Sequence, residues 1–242
     1  FYSEKEVGYY IQTNKWNYMG HALISGMIHG VAQPVLTQVA EDRERQLRVF
    51  RKMMRFTAFV SFPAMFGLSL IAPELITIAI TDKWMESAYI LQLLCISGAF
   101  IPINSLCYNL IISKGKSNVY MWNTILLGLI QLWVMYLIHP YGIRTMIITY
   151  ISINICWLMI WYYFVWKEIR YRFIHLLKDI FPFLFIAGCI MIVTHCITLP
   201  IENIYCLFVR KILIAALLYV ATMWLSNAET FKESVRYIRK RR

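Results

Sequence analysis

Apolar residues occur in long, nearly uninterrupted stretches along this chain, and short polar segments separate them. Each stretch has about the 20 residues that a helix needs to cross a hydrocarbon core of roughly 30 Å. They are too long and too evenly apolar for the strands of a barrel, which alternate over about ten residues. The pattern predicts an all-α, polytopic membrane helix bundle with about seven transmembrane helices, near residues 16–39, 50–72, 87–112, 119–138, 143–166, 180–199 and 207–226.

The segment 71–86, between the second and third stretches, has a different pattern. Pro73 is expected to begin a short separate helix, because proline is favoured at the first helical position. Asp82, Lys83 and Trp84 indicate an exit to the membrane interface. Glu74, the acidic residue considered within the spans, is expected at the outer interface because it follows Pro73.

Composition supports a lipid environment. The 242 residues are 60% hydrophobic and 15% charged, whereas soluble domains have about 45–50% apolar and about 25% charged residues. A soluble fold of this size would lack the polar side chains to cover its surface. The composition therefore excludes an ordinary soluble domain.

The net charge of +11 raises the question of nucleic acid, and the placement of the basic residues answers it. If the spans alternate in direction, 18 of the 24 lysines and arginines fall on one side, in segments 40–55, 113–118, 167–179 and the carboxy-terminal tail. Basic loops mark the cytoplasmic side of membrane proteins. We therefore expect the amino end outside, the carboxy end in the cytoplasm and no nucleic-acid partner.

The first span is the least apolar, and its polar residues recur at steps of three or four. Such spacing places them on one helical stripe, which should face protein or water because polar groups are costly in lipid. One hypothesis is a hydrated cavity that receives a polar substrate. The alternative is a helix–helix seam, which Gly20, Gly26 and Gly30 would allow. The stripe contains Asn14, Asn17, His21, Ser25, His29 and Gln33.

Two further groups are candidates for function. Pro102 and Asn104 in the third span indicate either a kinked, mobile helix or simple satisfaction of the backbone by neighbouring polar groups. The basic run of segment 40–55 could contact a pyrophosphate or an anionic lipid head group. The alternative for this run is the positive-inside rule acting on a cytoplasmic helix extension. Its candidate residues are Arg45, Arg48, Arg51, Lys52 and Arg55.

No residue pattern here indicates enzyme chemistry. The chain shows no carboxylate pair, no Ser/His/Asp set and no metal-ligand spacing, and His21 and His29 lack a third ligand. Five of the six cysteines lie inside apolar stretches, which is typical of buried small hydrophobes rather than of a disulfide scaffold. We expect no catalytic residues, no metal and no cofactor.

The order of several motifs resembles bacterial oligosaccharide flippases. These motifs are GYYIQTNKW at the head of the first span, Pro34 and Leu36, the basic run 41–55, the stretch APELITIAITDKWMESAYILQLLCISGAF, and the turn SKGKSN followed by Asn123. The resemblance is to the O-antigen and capsule repeat-unit branch of the multidrug/oligosaccharidyl-lipid/polysaccharide exporter superfamily. It covers residues 7–123, and residues 124–242 match in hydropathy alone.

The resemblance implies a two-lobe transporter of about fourteen spans, of which this chain would be the carboxy-terminal half. Residues 1–166 would then form the bundle of that lobe, 167–226 two additional spans and 227–242 a basic cytoplasmic tail. An intact protein of seven spans is the competing interpretation, although the signature motifs of seven-helix receptors are absent from the sequence.

The resemblance also implies a function. Relatives of this kind flip undecaprenyl-pyrophosphate-linked repeat units to the outer leaflet of the bacterial inner membrane by alternating access. The expected partners are the lipid-linked oligosaccharide, membrane lipids and the polysaccharide polymerase and assembly machinery. His21, Ser25, His29, Gln33 and Asn104 are the expected cavity residues.

Other functions remain open at the level of sequence. A cation-coupled multidrug antiporter of the same superfamily would need a titratable carboxylate within the membrane. A membrane-bound glycan polymerase or ligase would need a large outer loop with catalytic Arg or His. A structural remnant without transport activity would need neither.

Overall fold

The structure, a computed structural model, describes residues 3–200 and 203–225, and within them the chain forms eight α-helices and no strand. Two single 3₁₀ turns are formed by Asp82–Trp84 and His139–Tyr141. The predicted tail 227–242 lies outside the described residues. The helices are α1 Glu4–Gln38, α2 Arg43–Ala79, α3 Met85–Gly98, α4 Ile101–Ser113, α5 Ser117–Ile138, α6 Ile143–Ile169, α7 Phe173–Thr198 and α8 Ile204–Leu225.

The predicted all-α membrane bundle is confirmed. In the described part of the chain, six segments are long and apolar enough to cross a membrane: α2, α3 together with α4, and each of α5 to α8. α1 is the seventh element of membrane-crossing length, since 35 residues extend over about 50 Å. Its polar stripe makes it less apolar than the others.

Capping side chains fix where the two longest helices begin. The Ser3 hydroxyl accepts a hydrogen bond from the Glu6 backbone N–H at 3.3 Å, and the Ser3 backbone N–H donates to the Glu6 carboxylate at 3.0 Å. This is a capping box. At the start of α2, the Asp42 carboxylate accepts from the Arg45 backbone N–H at 2.9 Å. Both caps satisfy N–H groups that a helix leaves unpaired in its first turn.

The third predicted span, 87–112, is interrupted. α3 ends at Gly98 and α4 begins at Ile101, with Pro102 in its first turn. The Ser61 hydroxyl of α2 donates to the Ala99 carbonyl at 2.7 Å, so a neighbouring helix supplies a donor at the interruption, as lipid-embedded backbone requires.

The expectation that Pro73 begins a separate helix is wrong. α2 continues without a break from Arg43 to Ala79, and both Pro63 and Pro73 lie inside it. The physical reason is that side chains of neighbouring helices donate hydrogen bonds to the α2 carbonyls that the prolines leave without their usual N–H donors. The sequence shows where the proline lies, but it does not show that side chains of other helices replace the missing donor.

α2 lies at the centre of the packing. It contacts α1, α3, α4, α7 and α8, and several of its side chains are fully buried, among them Phe50, Met54, Phe62 and Met65. α1 packs against α3 and α4. At Gly98 the helices approach so closely that an added Cβ would lie 2.6 Å from Asn17 Oδ1 and 2.5 Å from Met65 Cε. A side chain at position 98 would therefore require the side chains of Asn17 and Met65 to move.

α7 and α8, the two additional spans of the predicted division, pack mainly against each other and against α2. α5 differs from all the other helices because Asn123 is its single buried residue. Its large apolar side chains, such as Leu132 and Trp133, are exposed. Exposed leucine and tryptophan on a membrane helix are expected to face lipid.

Polar contacts group the inter-helix segments at two ends of the bundle. At one end, which we call the basic end, Lys114 Nζ donates to the Ala40 carbonyl, and Lys116 forms an ion pair with Glu168. At the opposite end, the Tyr9 hydroxyl donates to the Lys83 carbonyl at 3.3 Å. In these contacts, each connecting segment is therefore bonded to a residue that the predicted topology places on the same side of the membrane.

Candidate functional site

The polar stripe of α1 winds around the helix. Four residues turn an α-helix by about 400°, so each step of four moves the stripe by about 40°. Asn17 is accordingly buried, as is Thr13 one turn before it, whereas Asn14 of the predicted stripe is exposed. His21 and Ser25 are half-buried, and His29 and Gln33 are exposed. The stripe begins in a helix–helix interface near the outer end predicted from sequence and finishes on an open face.

The buried end of the stripe is bonded to α3. The Thr13 hydroxyl donates to the Tyr9 carbonyl at 2.7 Å and lies 3.0 Å from the Ser87 carbonyl of α3. The Ser87 hydroxyl donates back to the Tyr9 carbonyl at 3.2 Å. These contacts are those of a helix–helix seam.

At the exposed end, His29 joins α1 to α4. His29 Nε2 lies 2.8 Å from both the Ser105 hydroxyl and the Tyr108 hydroxyl, and Nδ1 lies 3.2 Å from Asn109 Nδ2. Asn109 Nδ2 also donates to the Ser105 carbonyl at 2.8 Å. An amide nitrogen can only donate, so Nδ1 of His29 accepts and the ring proton is on Nε2. We call these four residues the His29 cluster.

The hydroxyl proton of Tyr108 is not used in a hydrogen bond within the His29 cluster. His29 Nε2–H donates toward Ser105 and Tyr108, and the Ser105 hydroxyl donates to the Tyr108 oxygen at 2.8 Å. The Tyr108 oxygen is therefore an acceptor within the cluster, and its own proton is available to a group outside the cluster. A hydroxyl-rich ligand offers acceptors for such a proton.

An aromatic cluster extends from Tyr108 toward α5 and α6. The Tyr108 ring centroid lies 5.1 Å from that of Tyr120 and 5.9 Å from that of Trp161. Such separations are favourable for aromatic pairs. The rings fix the position of Tyr108, so its hydroxyl is held in one place.

Three other cavity candidates carry buried polar atoms without a hydrogen-bond partner in the described structure. These atoms are His21 Nδ1, Ser25 Oγ and Asn104 Oδ1. Gln33 lies on the exposed face, and its backbone carbonyl accepts from the Thr37 hydroxyl at 2.8 Å. The structure therefore brings His29 together with α4 residues, and no hydrogen bond joins the side chains of His21, Ser25 and Asn104 to one another.

The predicted basic run has two different environments. Arg51 forms a bidentate pair with Asp179 of α7, with Nε 2.8 Å and the terminal nitrogen 3.0 Å from the two carboxylate oxygens. Arg55 Nε lies 3.8 Å from the same carboxylate. Arg48 lies 3.9 Å from Glu44, and Arg48, Arg45 and Lys52 are exposed. Arg51 thus joins α2 to α7, and the exposed three can meet a membrane surface.

Asp179 is also bonded to Tyr171, in the segment between α6 and α7. The Tyr171 hydroxyl donates to Asp179 Oδ2 at 3.0 Å. Burial, together with the negative charge of Asp179, raises the pKa of Tyr171 well above its ordinary value, so the phenol remains a donor at any physiological pH. Sequence analysis missed Asp179 because it lies at the edge of a segment assigned as a basic loop.

Sequence analysis also missed a buried ion pair between α2 and α8. Lys211 Nζ lies 2.6 Å from Glu74 Oε1 and 3.2 Å from the Leu70 carbonyl. The side chains are 5% and 7% exposed. Lys211 is two turns inside α8, so this apolar span carries a cation. A lysine inside the apolar stretch 207–226 was the available signal.

A polar opening lies between α1, α3 and α6, at the end opposite the basic one. Arg144 donates to Glu86 from two nitrogens, at 2.7 and 2.9 Å. Two open cavities of about 360 and 480 Å³ flank this ion pair, and Tyr9 and Tyr141 line the first. Their opening is at the membrane interface predicted for this end.

The fold and these contacts define a polytopic α-helical membrane protein with a polar stripe that reaches an open helix face. Residues 1–89 match a family described as "Polysaccharide biosynthesis protein". The resemblance drawn from motifs in residues 7–123 is confirmed for residues 7–89, as a resemblance to polysaccharide biosynthesis proteins.

Two curated relatives show the same relationship. A membrane protein in the cps region of Klebsiella pneumoniae is 33% identical over 93 residues, which are 38% of this chain and 19% of that protein. The lipopolysaccharide biosynthesis protein WzxC of Escherichia coli strain K12 is 23% identical over 96 residues, or 40% of this chain and 20% of that protein. The chain thus matches about a fifth of the length of each relative. No solved structure matches it.

Proposed function

We propose that this chain is part of a flippase that moves lipid-linked oligosaccharides, undecaprenyl-pyrophosphate-linked repeat units, from the cytoplasmic to the outer leaflet of a bacterial inner membrane. The observation that carries the proposal is that the family match and the polar stripe lie in the same part of the chain. The residues that match polysaccharide biosynthesis proteins, 1–89, contain α1, the helix that carries the polar stripe and His29.

The physical task of such a transporter explains why the stripe is useful. A glycan and its pyrophosphate are costly to place in hydrocarbon, as any polar or charged group is. A helix that offers hydrogen bonds over the membrane thickness lowers this cost, and alternating access avoids an open leak. His21, Ser25, Gln33 and Asn104 serve this role with His29, and Tyr108 adds a directed donor.

The basic end is proposed to face the cytoplasm, and the amino end of α1 the outside. Arg45, Arg48 and Lys52 then lie where they can attract the anionic pyrophosphate or the lipid surface, each contributing about 1 kcal/mol near the membrane. The transporter is not an enzyme in this proposal, and the polymerase and assembly machinery receive its product.

The test is complementation of surface polysaccharide in a strain that lacks the complete gene. The unaltered gene restores the polysaccharide if the proposed function is correct. A gene that leaves lipid-linked repeat units on the cytoplasmic leaflet, and polysaccharide absent, rejects the proposal.

Tyr108→Phe tests the His29 cluster within the same assay. Loss of one hydrogen bond of about 0.5–1.5 kcal/mol should lower the rate of flipping up to roughly tenfold, while membrane protein levels stay unchanged. Tyr136→Phe is the matched control, because Tyr136 is exposed on α5. Equal rates for the two variants would exclude Tyr108 from substrate binding.

A cation-coupled multidrug antiporter is the second candidate, and Glu74 is the observation that favours it. Such a transporter needs a carboxylate within the membrane, and Glu74 is buried in α2. Drug efflux from vesicles that depends on a proton gradient, is lost in Glu74→Gln and leaves surface polysaccharide unaffected would favour this candidate.

A further inference from the structure

Two prolines inside α2 remove two backbone donors from the middle of the bundle. In an α-helix the N–H of each residue donates to the carbonyl four residues earlier, and proline has no N–H. Pro63 therefore cannot donate to the Phe59 carbonyl, and Pro73 cannot donate to the Ser69 carbonyl. Within a membrane such backbone groups need another partner.

Both carbonyls receive a side-chain donor from a different helix. The Tyr219 hydroxyl of α8 donates to the Phe59 carbonyl at 2.8 Å. The Gln92 amide of α3 donates to the Ser69 carbonyl at 3.3 Å, and the Ser69 hydroxyl donates to the Gln92 carbonyl at 3.2 Å. Each proline is thus matched by one hydrogen-bonding side chain, on opposite neighbours of α2.

The stretch of α2 between the two prolines also has space beside it. A cavity of about 540 Å³ lies between residues 63–71 of α2 and residues 211–220 of α8. Ala64 and Gly67 line it on α2, and Ala215 and Ala216 line it on α8. The cavity is open at the surface of the described bundle, so residues 63–71 have room to shift on this side.

We propose that residues 59–73 of α2 form a hinge segment, and that Tyr219 and Gln92 are positioning residues that hold it in the described shape. Proline is a usual cause of helix bends. Breaking either side-chain contact releases the segment toward the cavity, and the role of this movement in transport rests on the proposed flippase function.

A double-mutant cycle on the protein expressed from its complete gene and placed in lipid nanodiscs tests the contacts. Tyr219→Phe should lower the melting temperature by about 1–2 °C, the size expected for one hydrogen bond in a protein about twice as long as this chain. In a Pro63→Ala background the restored N–H serves the Phe59 carbonyl, so the same change should cost less than half as much. Equal costs in the two backgrounds overturn the proposal.

The second proline supplies the matched control. Tyr219→Phe should combine additively with Pro73→Ala, whereas Gln92→Met should cost less with Pro73→Ala than without it. If Pro63→Ala does not fold, this Pro73 cycle gives the same comparison. Additivity of Gln92→Met with Pro73→Ala overturns the assignment of Gln92.

Movement is measured by hydrogen–deuterium exchange of residues 59–73. Exchange should become several times faster in Tyr219→Phe and slower than in the unaltered protein in Pro63→Ala. Unchanged exchange in both variants overturns the hinge. The complementation assay then separates the two proposals: an unaltered gene that fails to restore polysaccharide refutes the flippase, whereas a functional unaltered gene and an equally functional Pro63→Ala refute a role of the hinge in transport.

Discussion

At the scale of single residues, the main finding is that charged side chains join helices that are distant in sequence. Asp179 accepts from Arg51 and from Tyr171, so one carboxylate holds α2, α7 and the preceding segment. Its side chain is 2% exposed, whereas that of Arg51 is 29% exposed. Removing a buried partner is costly because the remaining charge has lost its compensation.

Asp179→Asn should therefore destabilise the protein by about 1–3 kcal/mol, which a lowered melting temperature in nanodiscs will show. Glu44→Gln is the matched control, since the Glu44–Arg48 pair is exposed, and exposed pairs contribute about 0–1 kcal/mol. An Asp179→Asn variant as stable as Glu44→Gln would contradict the role given to this carboxylate.

At the scale of elements, the pair Glu74–Lys211 fixes α8 against α2. Lys211→Met leaves the Glu74 carboxylate buried without its cation, which costs about 3–5 kcal/mol for a fully buried pair. The double variant Glu74→Gln, Lys211→Met removes both charges and should recover most of that stability. Melting temperatures of Lys211→Met, of Glu74→Gln and of the double variant check this, and a double variant less stable than Lys211→Met would show that the pair is not coupled.

The helices themselves were predictable from sequence, and their mutual contacts were not. Hydropathy alone located the apolar core of each span, because a lipid environment imposes length and apolar character locally. The continuity of α2 through Pro73 depends on Gln92, and the burial of Glu74 depends on Lys211, 137 residues later. The spacing of residues along the chain does not reveal such pairs.

The candidate site shows the same division. Periodicity identified His29 as a member of a polar stripe, and the rotation of that stripe follows from helix geometry. Ser105, Tyr108 and Asn109 were not predicted to contact His29, because their approach depends on how α1 and α4 pack. Pro102, near the start of α4, was the available sign that this region has an unusual backbone.

At the scale of the whole molecule, the distribution of basic residues predicts a testable orientation. A reporter fused after Asn118 should be cytoplasmic, because it follows the basic turn that contains Lys114 and Lys116. A reporter fused after Gly142, at the opposite end, should be periplasmic. Paired phosphatase and fluorescent fusions measure both positions, and the reverse result would overturn the topology together with the proposed direction of transport.

The sparse packing of α5 has a practical consequence for biochemistry. This helix contacts α4 and α6, and Asn123 is its one buried residue, so the surrounding acyl chains provide much of its cohesion with the bundle. Harsh solubilisation should loosen α5 before any other helix, and Tyr120 of α5, whose ring packs at a tilt against that of Tyr108, would be disturbed with it. Ligand affinity measured in short-chain micelles should then understate the affinity in native-like bilayers.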